Sequence, residues 1–469
     1  MTPEEFRRAG HELIDWIADY RASVRDHPVM SRSAPGDVKR ALPSTPPAQP
    51  ESFADIMRDV DDIVMPGLSH WQHPGFFAYF PANSSLSSVL GDFLSTGLGV
   101  LGLSWQSSPA LSELEEVVTE WMRQMVGLSD AWSGVIQDTA STSTLVALLC
   151  ARERTTHYGL ARGGLQEERQ PLVVYASAMS HSSIEKAALL AGFGRDNLRL
   201  VACDESFAIR ADALADAIAA DLAAGRRPCA VVATAGTTAT TAFDPIDAIA
   251  DVIAPHGMWL HVDAAMAGSA MILPECRPLW NGIERADSLV INPHKWLGVA
   301  FDASLYYVRD AEHLVRLMST NPSFLQSSVD GQVKNLRDWG LPLGRRFRAL
   351  KLWFLIREQG VAALQRRIRR DLENAQWLAT EIRQAPRWNV LAPVQLQTLC
   401  VRHEPEGVSG EALDAHTLDW AQRVNASGRA YLTPATLEGR WMVRISIGAE
   451  LTERADVEGL WRLLEAQVK

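Results

Sequence analysis

The sequence predicts an α/β protein: a seven-stranded, mainly parallel sheet, preceded by a helical N-terminal segment and followed by a small α+β domain. Two features carry the sheet. From Gly134 onward, short β-branched runs alternate with helix-length stretches such as 211–222, and the runs are apolar at successive positions rather than at every second one. Continuous apolar strands separated by helices belong to parallel sheets covered on both faces. The predicted strands are residues 134–137, 172–176, 198–202, 230–233, 259–262, 288–291 and 305–308.

Ahead of the sheet, Thr2 and Glu5 make a capping box with Pro3 at the first helical position, and Phe6, Leu13, Ile14, Ile17 and Tyr20 follow at helical spacing. Five prolines between Pro35 and Pro50 mark an extended connection, and Phe53, Ile56, Met57, Val60 and Val64 give a second helical stripe. These helices have little of their own to pack against, so residues 1–85 are expected to lie on another part of the molecule or on another subunit. A large domain is expected over 86–360 and a small C-terminal one over 361–469. Beyond Arg345 the chain reads as helical to about Gln384, then as short strands near 389–396 and 441–447, with a last helix from Arg454.

Composition narrows the class. With 47% hydrophobic and 22% charged residues the chain is globular, and a formal charge of −11 gives no general attraction to nucleic acid or anionic membrane. The arginine clusters at 345–348 and 366–370 read as solvated faces or interface ion-pair partners. Five cysteines with no C-x-x-C pair point to reduced thiols and a cytoplasmic protein. The longest purely apolar stretch, 145–151, has seven residues, far short of a membrane span. No metal site is expected, since His70-x-x-His73 lacks an acidic third ligand. The G-x-G-x-x-G pattern at 97–102 is a weak dinucleotide signal because no strand precedes it.

Ligands of open parallel sheets bind at the carboxyl ends of the strands. Three predicted ends carry chemistry: Asp263 after 259–262, Lys295 in Asn292-Pro293-His294-Lys295-Trp296, and His181 after 172–176. Singly, each has an ordinary reading as a helix cap, a surface lysine or a core histidine. Together they suit pyridoxal phosphate, whose aldehyde condenses with a lysine and whose ring nitrogen stays protonated beside an anion. Gln137-Asp138-Thr139-Ala140-Ser141 ends a strand and opens a helix, whose free amides make a phosphate site.

These residues bring the chain to a known family. The stretches His73-Pro74-Gly75-Phe76-Phe77-Ala78-Tyr79-Phe80-Pro81, Ser104-Trp105, Ser108-Pro109-Ala110, His261-Val262-Asp263-Ala264-Ala265, Asn292-Pro293-His294-Lys295-Trp296 and Pro342-Leu343-Gly344-Arg345-Arg346-Phe347 resemble the group II pyridoxal-phosphate decarboxylases. Within them the chain is most similar to aromatic-L-amino-acid (DOPA-type) decarboxylases, closest to bacterial members. The resemblance implies fold type I, the aspartate-aminotransferase type, and a homodimer with active sites shared across the subunit boundary. It implies Lys295 as the cofactor lysine, Asp263 as the partner of the ring nitrogen, and His181 stacked on the ring. Ala140, Ser141 and Asn292 would hold the phosphate, Thr238 and Ala265 would contact the cofactor, and His294 would help place the substrate carboxylate. Trp71, Tyr79, Phe80, Pro81 and Ala82 would form the aromatic pocket, with Leu101 and Leu103 from the other subunit. Asp138 and Thr139 stand where animal members have Gly-Ser, and a carboxylate beside a phosphate is unfavourable, so Asp138 is left out of that site.

The implied reaction is decarboxylation of an aromatic L-amino acid of the DOPA, 5-hydroxytryptophan, tryptophan or phenylalanine class, giving the amine and CO2. A loop tyrosine is the proposed proton donor in amine-forming members, and Phe324 occupies its place in this chain. In plant relatives a Phe at that position accompanies conversion to the arylacetaldehyde, ammonia and peroxide, so both outcomes are open. On the oxidative branch, the unmodified enzyme consumes oxygen stoichiometrically with aldehyde, and Phe324→Tyr moves product toward amine. Amine alone in air-saturated buffer, with no peroxide, would remove that branch.

Overall fold

The computed structural model describes residues 1–320 and 329–468; Phe324 lies outside them. The chain forms two compact units. One comprises Met1–Pro81, Asn374–Val390 and the chain from Cys400 onward, the other Ala82–Glu373 and Leu391–Leu399.

The second unit holds a seven-stranded sheet of β1 (Ser133–Gln137), β2 (Leu172–Ser177), β3 (Leu198–Val201), β4 (Arg227–Thr234), β5 (Trp259–Asp263), β6 (Ser288–Ile291) and β7 (Ser304–Val308), in the order β1-β7-β6-β5-β4-β2-β3. Each is one of the expected runs, with β4 starting three residues early. β2 to β6 pair in parallel, while β7 runs antiparallel to both β1 and β6. Every residue of β2, β5, β6 and β7 is buried, which is why these runs lack alternation. The helix Ala140–Thr155 is apolar on every side along its middle, residues 145–151, and lies across β4 to β7. Helix Leu86–Leu98 ends in the left-handed Gly99, so the glycine pattern at 97–102 is a helix terminus and no dinucleotide turn.

Arg345 departs from the expected solvated face. It is buried, donates to Glu115 Oε1 at 2.6 Å and bonds the Ile136 carbonyl, while Ile136 N donates to the same carboxylate oxygen at 2.8 Å. The ion pair therefore clamps β1 to helix Pro109–Val126. Arg346, Arg348 and Arg369 also bind carboxylates of their own chain, Asp92, Asp302 and Glu275.

In the first unit, helix Pro3–Ser23 carries the expected capping box. Of its apolar stripe, Phe6 is 54% and Ile14 43% exposed, while Leu13, Ile17 and Tyr20 are half-buried. The small sheet contains β8 (Trp388–Val390), β9 (Thr398–His403), β10 (Thr433–Leu437) and β11 (Arg440–Ser446), in the order β10-β11-β9-β8. Here the expectation needs correction. The strand expected over 389–396 stops at Val390, with Pro393 soon after, and β9 follows where none was expected. β10 contains Pro434, which argues against a central strand but fits the sheet edge that β10 occupies. Helix Gly410–Ala426 was also not expected. The helical reading of 345–384 holds as Ala349–Gln384, interrupted at Gly360 by φ 71° and ψ 158°.

All five cysteines are free thiols, and four of them are buried. Among the described residues no helix is long and apolar enough to cross a membrane.

Removing Glu115 leaves the Arg345 charge buried without its counter-ion. Glu115→Ala is expected to destabilise the protein by about 3–5 kcal/mol, read as a fall in the urea midpoint at unchanged slope.

Candidate active site

β1 and β6 both run opposite to β7, and β2 to β5 run with β6, so the carboxyl ends of six strands share one edge. The turn after β1, Asp263 at the end of β5, His181 after β2 and the Lys295 loop after β6 all lie there.

The backbone ties these ends together. Ala264 N donates to Val290 O at 3.0 Å, and Asn292 N donates to Ala265 O at 2.9 Å, continuing the β5–β6 pairing beyond both strands. Asp263 is 5% exposed, and its Oδ1 accepts from Ala265 N at 3.0 Å. Lys295 N bonds Asn292 O at 3.0 Å, and the Asn83 amide donates to Lys295 O at 3.0 Å.

Two histidines flank this pair. His294 is buried, and its Nδ1 accepts from Ala303 N at 3.0 Å, so the neutral ring carries its proton on Nε2. Burial, reinforced by the Lys295 charge, lowers its pKa to about 4. His181 caps helix Ser182–Leu190, with Nδ1 accepting from Ser183 N at 3.1 Å. Part of its surface meets solvent, yet desolvation lowers its pKa; the Asp263 charge opposes the shift and the Lys295 charge adds to it. The three groups that the strand ends suggested are thus within electrostatic reach of one another.

Ala140, Ala265 and Val290 pack as one buried cluster, which joins the turn after β1 to the ends of β5 and β6. Thr139, the cap of helix Ala140–Thr155, makes no side-chain cap bond, and Ser141 in the first turn is exposed. Asp138 Oδ1 accepts from Thr139 N at 2.6 Å. Thr238 is half-buried in the turn after β4, where Thr237 and Thr240 hydroxyls meet at 2.9 Å. A residue that sequence reasoning missed fixes that turn: Asp244 accepts from Thr234 N at 2.7 Å and Ile209 N at 2.8 Å, and burial raises its pKa to about 6.

The residues expected to form the aromatic pocket fall in both units. In the first, Trp71 stacks on Tyr79 at 5.7 Å and on Phe76 at 4.4 Å, the Tyr79 hydroxyl meets that of Tyr431 at 3.1 Å, and Arg444 lies over Phe80 at 4.8 Å. Pro81 is buried beside them in sequence. In the second, Ala82 and Leu103 are half-buried and Leu101 is 57% exposed. A cavity of about 1090 Å³ lined by Glu116, Arg123, Arg316, Lys334 and Trp339 contains none of the strand-end residues, so chemistry rather than volume marks the site.

The model of the pyridoxal-dependent decarboxylase conserved domain matches residues 35–404. The chain belongs to this family. It is 39% identical over 474 residues to tryptophan decarboxylase 2 of Oryza sativa subsp. japonica, covering 99% of this chain and 94% of that one. It is 38% identical over 477 residues to a phenylacetaldehyde synthase of Arabidopsis thaliana, covering 100% and 96%. Among solved structures, Oryza sativa TDC with PLP and tryptamine superposes with a TM-score of 0.97 at 35% identity, covering 100% of this chain and 98% of that one.

The family's cofactor is pyridoxal 5′-phosphate, and the donor set of this decarboxylase suits it. Lys295 offers an amine, Asp263 a buried carboxylate for a protonated ring nitrogen, and the helix at Ala140 an uncapped N-terminus for a dianion. The Asn292 side chain is 3% exposed and its amide oxygen, an acceptor, has no hydrogen-bond partner; a ligand N–H or O–H would satisfy that oxygen, whereas a phosphate would take the amide's N–H groups.

His294 ties stability to pH. Its folded pKa, about 4, lies below the ordinary 6.5, so the unfolded chain binds more protons between these values and the contribution is lost as pH falls from about 6.5 to 4. The deficit in urea midpoint of His294→Gln relative to the parent is therefore expected to shrink between pH 7 and pH 5.

Proposed function

We propose that this protein decarboxylates an aromatic L-amino acid to the aromatic amine and CO2, with pyridoxal phosphate held at Lys295. The observation that carries this reading is the convergence of Lys295, Asp263 and His181 on one sheet edge, in a chain of this family. When bound, the cofactor supplies an electron sink for the pair left as the Cα–carboxylate bond breaks. Asp263, buried and aligned by Ala265 N, keeps a ring nitrogen protonated. His181, neutral at pH 7, would stack on the ring, and Ala265 would contact the cofactor. Ala140, Ser141 and Asn292 hold the phosphate, and Thr238 supports the cofactor. His294, neutral and fixed by Ala303 N, places the substrate carboxylate. Trp71, Tyr79, Phe80, Pro81 and Ala82, with Leu101 and Leu103 from a second subunit, receive the aromatic side chain.

A homodimer with shared active sites belongs to this reading. Leu86, Leu90, Leu94 and Leu98 recur every fourth residue along one helix, 42–53% exposed, with Phe93 beside them. An apolar stripe of this extent favours a second copy of the chain as its cover. Sedimentation equilibrium is expected to give the dimer mass; a fully active monomer would overturn it. The free thiols support a reducing, cytoplasmic setting.

Phe324 favours a second reading, oxidative conversion to the arylacetaldehyde, and so does the phenylacetaldehyde synthase among the relatives. A panel of aromatic amino acids, followed for amine, aldehyde, CO2 and peroxide together, separates the two. Lys295→Ala is expected to lose both turnover and the borohydride-reducible cofactor linkage. A linkage retained in that variant would overturn the assignment.

A further inference from the structure

The main chain that carries Lys295 receives side-chain donors at three consecutive carbonyls. Asn83 bonds the carbonyl of Lys295 at 3.0 Å, and Arg367 bonds those of Trp296 and Leu297 at 3.0 and 2.5 Å. The Trp296 side chain is 2% exposed, and its indole N–H ends on Asp371 Oδ2 at 2.9 Å, 75 residues away in sequence. Arg367 and Asp371 are four residues apart on helix Ala349–Gln384 and so share a face. Asp371 is itself fully buried, and its other oxygen takes Arg370 at 3.1 Å. The loop is built to admit the guanidinium: Gly298 has φ +99°, and a Cβ there would lie 2.8 Å from Arg367 Nη1 and from Ser85 Oγ.

We infer that Asp371 and Arg367 are positioning residues for Lys295, acting through the Trp296 indole and the carbonyls of Trp296 and Leu297. A lysine that forms and releases a covalent bond in each turnover needs a main chain that holds its place while the side chain moves. Displacement of a reacting group by about 1 Å lowers rate by up to ~100-fold. A buried indole N–H left without an acceptor would move to find one, and Lys295 is the residue directly before it. The inference rests on the reading of Lys295 as the cofactor lysine.

The test compares Trp296→Phe, Asp371→Leu, Asp371→Asn and the Trp296→Phe/Asp371→Leu double variant as holoenzymes. Cofactor content, the absorbance of lysine-bound cofactor, kcat and KM are measured for each. Trp296→Phe and Asp371→Leu are expected to lower kcat per bound cofactor about tenfold or more, with KM changed less than about twofold and the absorbance band altered. Asp371→Asn, which keeps an acceptor for the indole, recovers most of the loss, and the double variant is no worse than the poorer single one. Parent-like kcat per bound cofactor in Trp296→Phe would overturn the inference, as would losses that merely follow cofactor content. Should Asp371→Leu fail to fold, Trp296→Phe and Asp371→Asn decide the matter. Covalent cofactor retained in Lys295→Ala defeats the underlying reading; a parent-like Trp296→Phe beside an inactive Lys295→Ala defeats only this one.

Discussion

The site depends on two main-chain hydrogen bonds, Ala264 N to Val290 O and Asn292 N to Ala265 O, which prolong the β5–β6 pairing past the ends of both strands. They set the separation between a carboxylate on one strand and an amine on the loop after its neighbour. A sheet ladder suits that task, because each strand is held along its length and its end cannot move without breaking bonds further back. The antiparallel β7 completes the arrangement on the other side, since it lets β1 run parallel to β6 and brings the helix at Ala140 to the same edge.

Around that frame the protein controls charge by withdrawing water. His294 and His261 are both held near a pKa of 4 chiefly by burial, and His181 is lowered for the same reason, so the imidazoles near Lys295 and Asp263 are neutral at pH 7. Neutral rings can stack and accept without competing with a protonated ring nitrogen for the Asp263 carboxylate. Behind them, Asp244 and Asp371 are pushed up to about 6, again mainly by burial. The Asp244 oxygens go to the main-chain amides of Thr234 and Ile209 and those of Asp371 to an indole and a guanidinium, so the first anchors main chain and the second anchors side chains.

What was legible in the sequence followed from locality. The strands stand out because each is a short run rich in apolar residues, and in β2, β5, β6 and β7 every one of them is buried; His181, Asp263 and Lys295 stand out because they come soon after such runs. The small sheet was less legible. Pro434 disguises β10, and β9 follows a proline-interrupted stretch that resembles one strand more than a strand and a loop. Asn83, Asp244, Arg367 and Asp371 were illegible for another reason: their partners are distant in the chain, and nothing nearby distinguishes a carboxylate that meets an indole from one that meets water. Trp296, an amphipathic side chain directly after the proposed cofactor lysine, is the one local signal that an acceptor for its indole lies elsewhere in the chain.

The distribution of sulfur has a practical consequence. Cys150, Cys229 and Cys400 have thiols pushed up to about 12 and Cys276 to about 11, in each case by burial, so at neutral pH these four hold almost no thiolate and resist electrophiles. Cys203 is half-buried, 3.1 Å from the hydroxyl of Ser177 at the end of β2, the strand that leads to His181. A thiol-directed fluorophore or spin label is therefore expected to find Cys203 before the other four, placing a reporter next to the strand that leads to His181 without a cysteine-free background.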